Sequence, residues 1–357
     1  NLEMVREYDV TVARTLVVEV GERRSSLLQP NESALINAVY RLVTGTRPLI
    51  VHLLGHGEHL LDSTERPGYS EMHGLLLAQG YRVRTLYLAD VARVPSDADI
   101  LIVAGPRTDP TPDEVAAIRS YLAQGGSLLG LFDPPTPVGW NELLREWNLR
   151  LTGDVLMSVH PNRQEFGVSA RTVVVTEGYG SHEITASLSG VATAFPMAQP
   201  LSYAEPVAES ETSEVILATT QASWAERDPE TKFSGQAEFD RGQDVPGPLP
   251  LGVAVQMPAS TAPGPAATAP TGPGTDATPV AQDAAGTAAA APTGPGGRPL
   301  RLVVIGNSEF LTNANVMLGG NRDLLLNAVG WLAQEETLIN LRGRDPLSQP
   351  VVLTMTE

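Results

Sequence analysis

Ionisable side chains cluster where one short apolar segment of the sequence ends. The run "PLIVHLLGHGEHLLD" leads from apolar residues into His56, Glu58 and His59, with Asp62 close behind. Histidine and carboxylate side chains can ligate zinc or transfer protons. The His-x-Glu-His spacing is not that of a helical ligand pair, however, and the glycines between these side chains indicate a turn. We therefore predict no metal site at this turn.

A phosphate-binding role for the same turn is weakly supported. "GHGEHL" begins like a dinucleotide-binding loop, but it lacks the third glycine and places Glu58 where a phosphate would approach. The chain also has no Walker-type lysine motif. We predict that the protein uses no cofactor.

The sequence has no recognisable catalytic nucleophile. Cysteine is absent, which excludes disulfides, a thiolate nucleophile and a cysteine-based metal site. No Gly-x-Ser-x-Gly motif occurs, and Ser181 beside His182 in "YGSHEIT" is typical of a surface turn. This pattern favours a protein without catalytic activity.

Polar or glycine-rich corners follow four predicted strands, at 55–58, 105–107, 133 and 306–309. In open α/β sheets, ligands bind beyond the carboxyl ends of the strands. We therefore predict a ligand site where these four corners meet, an edge that we call the rim. Its predicted side chains are His56, Glu58, Arg107, Asp133, Asn307 and Glu309. Alternatively, glycine and proline only form sharp turns here, while Asp and Asn cap the helices that follow.

A hydrolase of sugar or acyl substrates is the second functional hypothesis. His56 and Glu58 would act with Asp133 or Glu309, because ionisable groups clustered at strand ends can have the shifted pKa values that acid–base catalysis needs. Trp224 follows a predicted strand and could line a groove for a carbohydrate.

Short apolar segments alternate with amphipathic ones along the chain. This alternation is typical of an α/β fold with a mostly parallel sheet flanked by helices. Extra β segments follow in the second half, and Trp331 has the helical spacing of a core residue. The predicted strands are 10–20, 49–54, 81–88, 98–105, 126–132, 170–176, 213–220 and the segments "PLGVAVQM" and "RLVVIGNSEF". The predicted helices are 31–43 with Asn31 as N-cap, 69–79, 112–124 with Thr111 as cap, and 321–334.

Composition and charge limit the partners. The chain has 357 residues and a formal net charge of −17, which repels nucleic acid and anionic lipid. No window approaches the roughly 20 apolar residues of a membrane span. The first residue is Asn1, so we interpret the chain as a processed form or fragment whose membrane anchor would lie beyond its ends.

The sequence divides into four predicted regions. An N-terminal strand and helix (1–45) lead into an α/β domain formed by 46–256 and 300–342. Between them, 257–299 consists almost entirely of Ala, Pro, Gly and Thr and cannot bury enough apolar area to order, so we predict a disordered loop. A tail (343–357) could lead towards a membrane span.

Several motifs occur together in the order typical of one family. They include "VHLLGHGEH", "VPSDADILIVAGPRTDPTPDEVAAIRSYLAQGGSLLGLFDPP", "RLVVIGNSEFLTN" and "GNRDLLLNAVGWLAQEETLINLR". With these motifs the chain resembles the GldG-like auxiliary proteins of gliding-motility and uncharacterised ABC transport systems, over about residues 30–345 apart from the Ala/Pro/Gly-rich loop.

The resemblance implies an extracytoplasmic domain of a cell-membrane protein, associated with an ABC permease and ATPase. Its fold would be glutamine-amidotransferase-like or flavodoxin-like, similar also to the N-terminal domain of an intraflagellar transport protein. No catalytic residues carry over from these relatives, and the cysteine that amidotransferases use is missing. We expect a non-catalytic domain that acts through protein contacts or by binding a carbohydrate or another small molecule.

Overall fold

The computed structural model describes residues 8, 15–21, 23–27, 32–158, 171–203, 212–233, 238–258 and 298–341. The strands in this part of the chain are β1 (Leu16–Val20), β2 (Arg23–Leu27), β3 (Leu49–Leu54), β4 (Arg82–Tyr87), β5 (Ile100–Ala104), β6 (Ser127–Leu131), β7 (Leu149–Leu151), β8 (Val155–Ser158), β9 (Thr172–Val175), β10 (Thr193–Pro196), β11 (Leu201–Tyr203), β12 (Thr212–Ala218), β13 (Ser223–Glu226), β14 (Val245–Pro246), β15 (Pro250–Met257) and β16 (Leu300–Ile305). The helices are α1 (Glu32–Thr44), α2 (Ser70–Ala78), α3 (Leu88–Val91), α4 (Pro112–Ala123), α5 (Val138–Leu144), α6 (Asn321–Leu332) and α7 (Glu336–Leu341).

The main sheet contains seven of these strands in the order β12-β15-β16-β6-β5-β3-β4. The five strands from β16 to β4 are parallel, and β15 lies antiparallel to both β16 and β12. Every residue of "LIVHLL" in β3 and of "ILIVA" in β5 is buried, as expected for parallel strands that are covered on both faces. The predicted α/β fold with a mostly parallel sheet is confirmed.

Helices pack on both faces of the sheet and create two apolar cores. On one face, Met72 of α2 and Leu325 of α6 belong to a core that also includes Trp331, as its spacing predicts. On the other, Ile118 of α4 and Trp140 of α5 pack together. Helix α4 begins as its sequence predicts, with a reciprocal capping box between Thr111 and Glu114.

The N-terminal segment forms a hairpin of β1 and β2 followed by α1. The sequence predicts a strand over 10–20, of which 16–20 form β1, whereas 10–14 and Asn31 lie outside the described residues. Strand β2, "RRSSL", was not predicted because it carries only one apolar residue.

Smaller β units accompany the main sheet in the second half of the chain. They are the pairs β9–β10 and β7–β11 and the three-stranded sheet β14-β13-β8. All of these strands have four residues or fewer, too short for a periodic pattern, and only β9 among them was predicted.

Of the predicted loop at 257–299, residues 259–297 lie outside the described residues, as does the whole predicted tail at 343–357. Among the helices that the structure describes, none has the length and apolar character of a membrane span.

Candidate functional site

The corners after β3, β5, β6 and β16 meet at the carboxyl edge of the parallel strands, as the sequence predicts. Gly105, at the end of β5, has a φ of +70° and allows the closest approach. A Cβ atom there would lie 2.8 Å from Ser308 Oγ and 3.0 Å from His59 Nε2. Glycine is therefore required for three corners of the rim to touch.

Asp133 joins the corner after β6 to the corner after β16. Its Oδ1 accepts a hydrogen bond from the Ser308 backbone N–H at 2.7 Å and a longer one from Asn307 Nδ2 at 3.3 Å. Its Oδ2 accepts a short hydrogen bond from Ser308 Oγ. Asn307 also donates to the Pro196 carbonyl at 2.6 Å, which ties the rim to strand β10.

His59 stands beside this carboxylate in a fixed orientation. Its Nδ1 lies 2.7 Å from the Pro67 carbonyl oxygen, and its Nε2 lies 2.9 Å from Ser308 Oγ. The ring stacks on Tyr69 at 4.6 Å, and the Tyr69 hydroxyl donates to the Ser308 carbonyl at 2.7 Å. Because a carbonyl oxygen only accepts, Nδ1 carries a hydrogen and Nε2 faces the centre of the rim.

Glu309 contributes a carboxylate with no hydrogen-bonding partner among the described residues. The side chain is half-buried. Burial and the nearby charge of Asp133 raise the pKa of Glu309, while His59 and Arg107 oppose that shift. One nitrogen of His59 and one oxygen each of Asp133 and Glu309 lie within 4.8 Å of one another.

His56 and Glu58 form a second, buried cluster with Glu114 of α4. His56 Nδ1 lies 2.9 Å from Glu58 Oε1, and Nε2 lies 3.2 Å from Glu114 Oε2. The hydrogen bond with Glu58 is the main cause of a raised pKa for His56. Burial would raise the pKa of Glu114, but hydrogen bonds from Thr111 and His56 outweigh it and lower that pKa.

Arg107 connects the two clusters. Its backbone N–H donates to the His56 carbonyl at 2.7 Å. Gly57, with a φ of +93°, packs closely on the Arg107 side chain. A Cβ atom on Gly57 would lie 3.2 Å from Arg107 Cβ. The guanidinium is exposed, has no ion pair among the described residues, and acts on the pKa of Glu309.

The six predicted side chains therefore divide between two clusters. Asp133, Asn307 and Glu309 lie together, with the charge of Arg107 nearby, whereas His56 pairs with both Glu58 and Glu114. The sequence analysis does not identify Ser308, and it considers His59 only as a metal ligand alongside His56. His59 follows Glu58 and Ser308 follows Asn307, and both of these neighbours are predicted site residues. No local sequence pattern, however, links position 59 with position 308.

Comparison with known sequences gives one family. The family described as "ABC-type uncharacterized transport system" matches residues 47–328, which include every residue of the rim. No curated protein matches the chain.

Three solved structures are distantly similar. The mmIFT52 N-terminal domain has 15% identity and a TM-score of 0.48, over 80% of this chain and 97% of that one. A structure described as a ThuA-like protein from Bacteroides uniformis has 12% identity and a TM-score of 0.39, over 80% of this chain and 91% of that one. A structure described as a GMP synthase protein from Thermoplasma acidophilum has 12% identity and a TM-score of 0.25, over 50% of this chain and 73% of that one.

Proposed function

The chain belongs to the family described as ABC-type uncharacterized transport system, and from this premise we propose that it is a non-catalytic, ligand-binding auxiliary component of such a system. In this proposal the domain lies on the extracytoplasmic side of the cell membrane, tethered by segments of a longer chain. Its partners are the permease and ATPase subunits. Gliding motility is one process that such a system could serve.

The ligand-binding role rests on two charged side chains at the rim that have no hydrogen bond among the described residues. Glu309 is half-buried and Arg107 is exposed, and neither side chain has a hydrogen bond among the described residues. A carboxylate accepts and a guanidinium donates hydrogen bonds, so together they can orient a ligand with several hydroxyl groups. A carbohydrate, or another small polyhydroxylated molecule, fits this chemistry.

The environment of Ser308 supports a role without catalysis. Its side chain is fully buried, and its hydroxyl donates to Asp133. A serine nucleophile must reach its substrate and pass its proton to a base. Ser308 instead uses its proton to connect two corners of the rim.

A hydrolase is the second candidate, and one contact favours it. Ser308 Oγ lies 2.9 Å from His59 Nε2, and the Pro67 carbonyl fixes the other ring nitrogen, as in a serine–histidine pair. The carboxylate of Asp133, however, contacts the serine rather than the histidine. A hydrolase would therefore use Ser308 and His59, not the pairing of His56 and Glu58 with Asp133 or Glu309 that the sequence suggests.

Co-purification tests the association with a transporter. The full-length protein, isolated from native membranes in a mild detergent, should bring down a permease and an ATPase subunit. Repeated failure to recover either of them would contradict the proposal.

Ligand binding is tested with Arg107→Ala, an exposed substitution that leaves the backbone contact with His56 in place. On a glycan array, the wild-type domain should retain a ligand that the variant binds at least tenfold more weakly. Arg93→Ala, an exposed arginine away from the rim, is the control and should bind like the wild type. Hydrolysis of ester or glycoside substrates that disappears in Ser308→Ala would favour the hydrolase instead.

A further inference from the structure

We infer that His59, Asp133 and Glu309 form a binding site for a divalent transition-metal ion of the Zn²⁺ class. The three residues come from corners after three different strands of the sheet, β3, β6 and β16. Their donor atoms lie within 4.8 Å of one another. The inference rests on the rim that we propose as a ligand site, but not on the association with a transporter.

His59 is prepared as a metal ligand by its surroundings. The Nδ1–H group donates to the Pro67 carbonyl at 2.7 Å, which leaves Nε2 as the ring atom that faces the cluster, 2.9 Å from Ser308 Oγ, and a metal ion bound to Nε2 would replace that contact. Stacking on Tyr69 fixes the plane of the ring, and His52 Nε2 binds the His59 carbonyl at 2.7 Å. Hydrogen bonding of the remote ring nitrogen to a backbone carbonyl is the arrangement by which proteins orient metal-ligating histidines.

The two carboxylates of the cluster are close enough to contact one ion. One oxygen of Asp133 and one of Glu309 lie within 4.8 Å of each other, and the Glu309 carboxylate has no hydrogen bond among the described residues. A dication bound between them would contact two negatively charged groups. Ligands about 2.1 Å from a tetrahedral ion lie roughly 3.5 Å apart, so the donor atoms, now within 4.8 Å of one another, must approach by up to about 1 Å. Glu309 can make this approach without breaking a hydrogen bond in the described structure.

The donor set selects the class of metal. One imidazole nitrogen and two carboxylate oxygens, without a thiolate, suit Zn²⁺ or Mn²⁺ better than Ca²⁺, which prefers six to eight oxygens. Ser308 Oγ stands beside both His59 and Asp133 as a neutral oxygen. Three protein ligands leave at least one coordination position for a hydroxyl or carboxylate group of the bound ligand.

Metal uptake by the purified, untagged chain tests the inference. After treatment with EDTA, the protein should bind about one equivalent of Zn²⁺ in isothermal titration calorimetry, and Ca²⁺ should bind at least tenfold more weakly. Glu309→Gln keeps the size of the side chain and breaks no hydrogen bond in the described structure. It should weaken Zn²⁺ binding by tenfold or more while the circular dichroism spectrum stays unchanged.

Asp62→Asn is the matched control. Asp62 is an exposed carboxylate three residues from His59, and the sequence pattern groups it with the histidines, but the spatial cluster excludes it. Zn²⁺ binding should therefore survive this substitution. The inference is overturned if the wild type binds no Zn²⁺, or if Glu309→Gln binds it as tightly as the wild type. Neither result would bear on recovery of a permease or ATPase.

Discussion

At the scale of single residues, His56 connects the turn after β3 to the start of helix α4. The imidazole lies between two carboxylates, 2.9 Å from Glu58 and 3.2 Å from Glu114, and all three side chains are buried. The raised pKa of His56 means that the native state binds its proton more tightly than the unfolded state does. The two carboxylates therefore favour the protonated form of His56, which is the cation of this buried cluster at pH values below its raised pKa.

Replacing His56 by Gln should destabilise the protein in a pH-dependent way. Because the pKa of His56 is raised, its contribution is complete below the unfolded value near 6.5 and is lost as the pH rises through the folded value. The lowered pKa of Glu114 makes its contribution complete above about 4.5, and it is lost as the pH falls through the folded value. At about pH 5.5, His56→Gln should lower the free energy of unfolding by about 3 kcal/mol.

Urea denaturation of wild type and variant measures this difference. At about pH 9 the loss should shrink to roughly 1.5 kcal/mol, because a neutral imidazole can donate only one hydrogen bond to the two carboxylates. His73→Gln, a half-buried histidine of α2 outside this cluster, serves as the control. Equal destabilisation at both pH values would show that the charge of His56 contributes nothing.

The sequence predicts where the site lies more accurately than it predicts which side chains contact each other there. Strand ends and glycine corners are local signals, so the rim could be predicted from the four corners alone. The partner of His56 could not, because Glu114 lies 58 positions away and its local role is that of a capping-box residue. Likewise, only the folded sheet brings Ser308 against His59, across 249 positions.

At the scale of elements, a buried ion pair fastens helix α1 to the main fold. Arg41 of α1 binds Glu335, just before α7, through two hydrogen bonds of 3.0 and 3.2 Å. Its Nε donates to the Gln79 carbonyl at 2.7 Å, and its guanidinium lies 4.3 Å from the centre of the Tyr81 ring. The amphipathic spacing of α1 predicts the helix but not this attachment, because the partners are 294 positions apart.

Removing both members of this pair should cost less than the sum of the two single removals. Glu335→Leu leaves Arg41 buried without its carboxylate and should lower the free energy of unfolding by about 3–5 kcal/mol. The double variant with Arg41→Met removes that charge, so its loss should fall short of the sum by about 1–3 kcal/mol. Thermal and urea unfolding of the four proteins in the cycle give the coupling energy.

The exposed pair between Arg145, the residue that follows α5, and Glu142 of that helix offers a contrasting cycle. Both side chains are more than half exposed, at 53% and 55%. Screening by water should reduce their coupling to less than about 0.5 kcal/mol. Similar coupling in the two cycles would contradict the view that burial makes the Arg41–Glu335 pair important.

At the scale of the whole molecule, the main sheet is continuous across the predicted loop at 257–299. Met257 at the end of β15 lies directly opposite Leu300 at the start of β16, and the two strands pair along their length. Arg298, the first described residue after 259–297, forms an ion pair with Asp99 at 2.7 Å. This contact holds the chain in place just before β16 begins. Composition indicates the limits of this loop, and the apolar segments on either side predict the two strands that it joins.

The fold should therefore persist when residues 259–297 are replaced by Asn-Gly, a dipeptide that favours tight hairpin turns. Closing a loop costs about 0.6 kcal/mol for each doubling of its length, and this replacement removes about three doublings, so the variant should be more stable by up to about 2 kcal/mol. Urea denaturation monitored by tryptophan fluorescence measures that gain, and Zn²⁺ titration shows whether the rim at the opposite end of β16 is intact.

A shorter deletion, of 181–190, serves as the comparison. It removes the buried Ile184 and Leu188 from the core and should unfold the protein. Loss of stability in the Asn-Gly variant would mean that the deleted segment packs on the domain, contrary to the prediction from its composition.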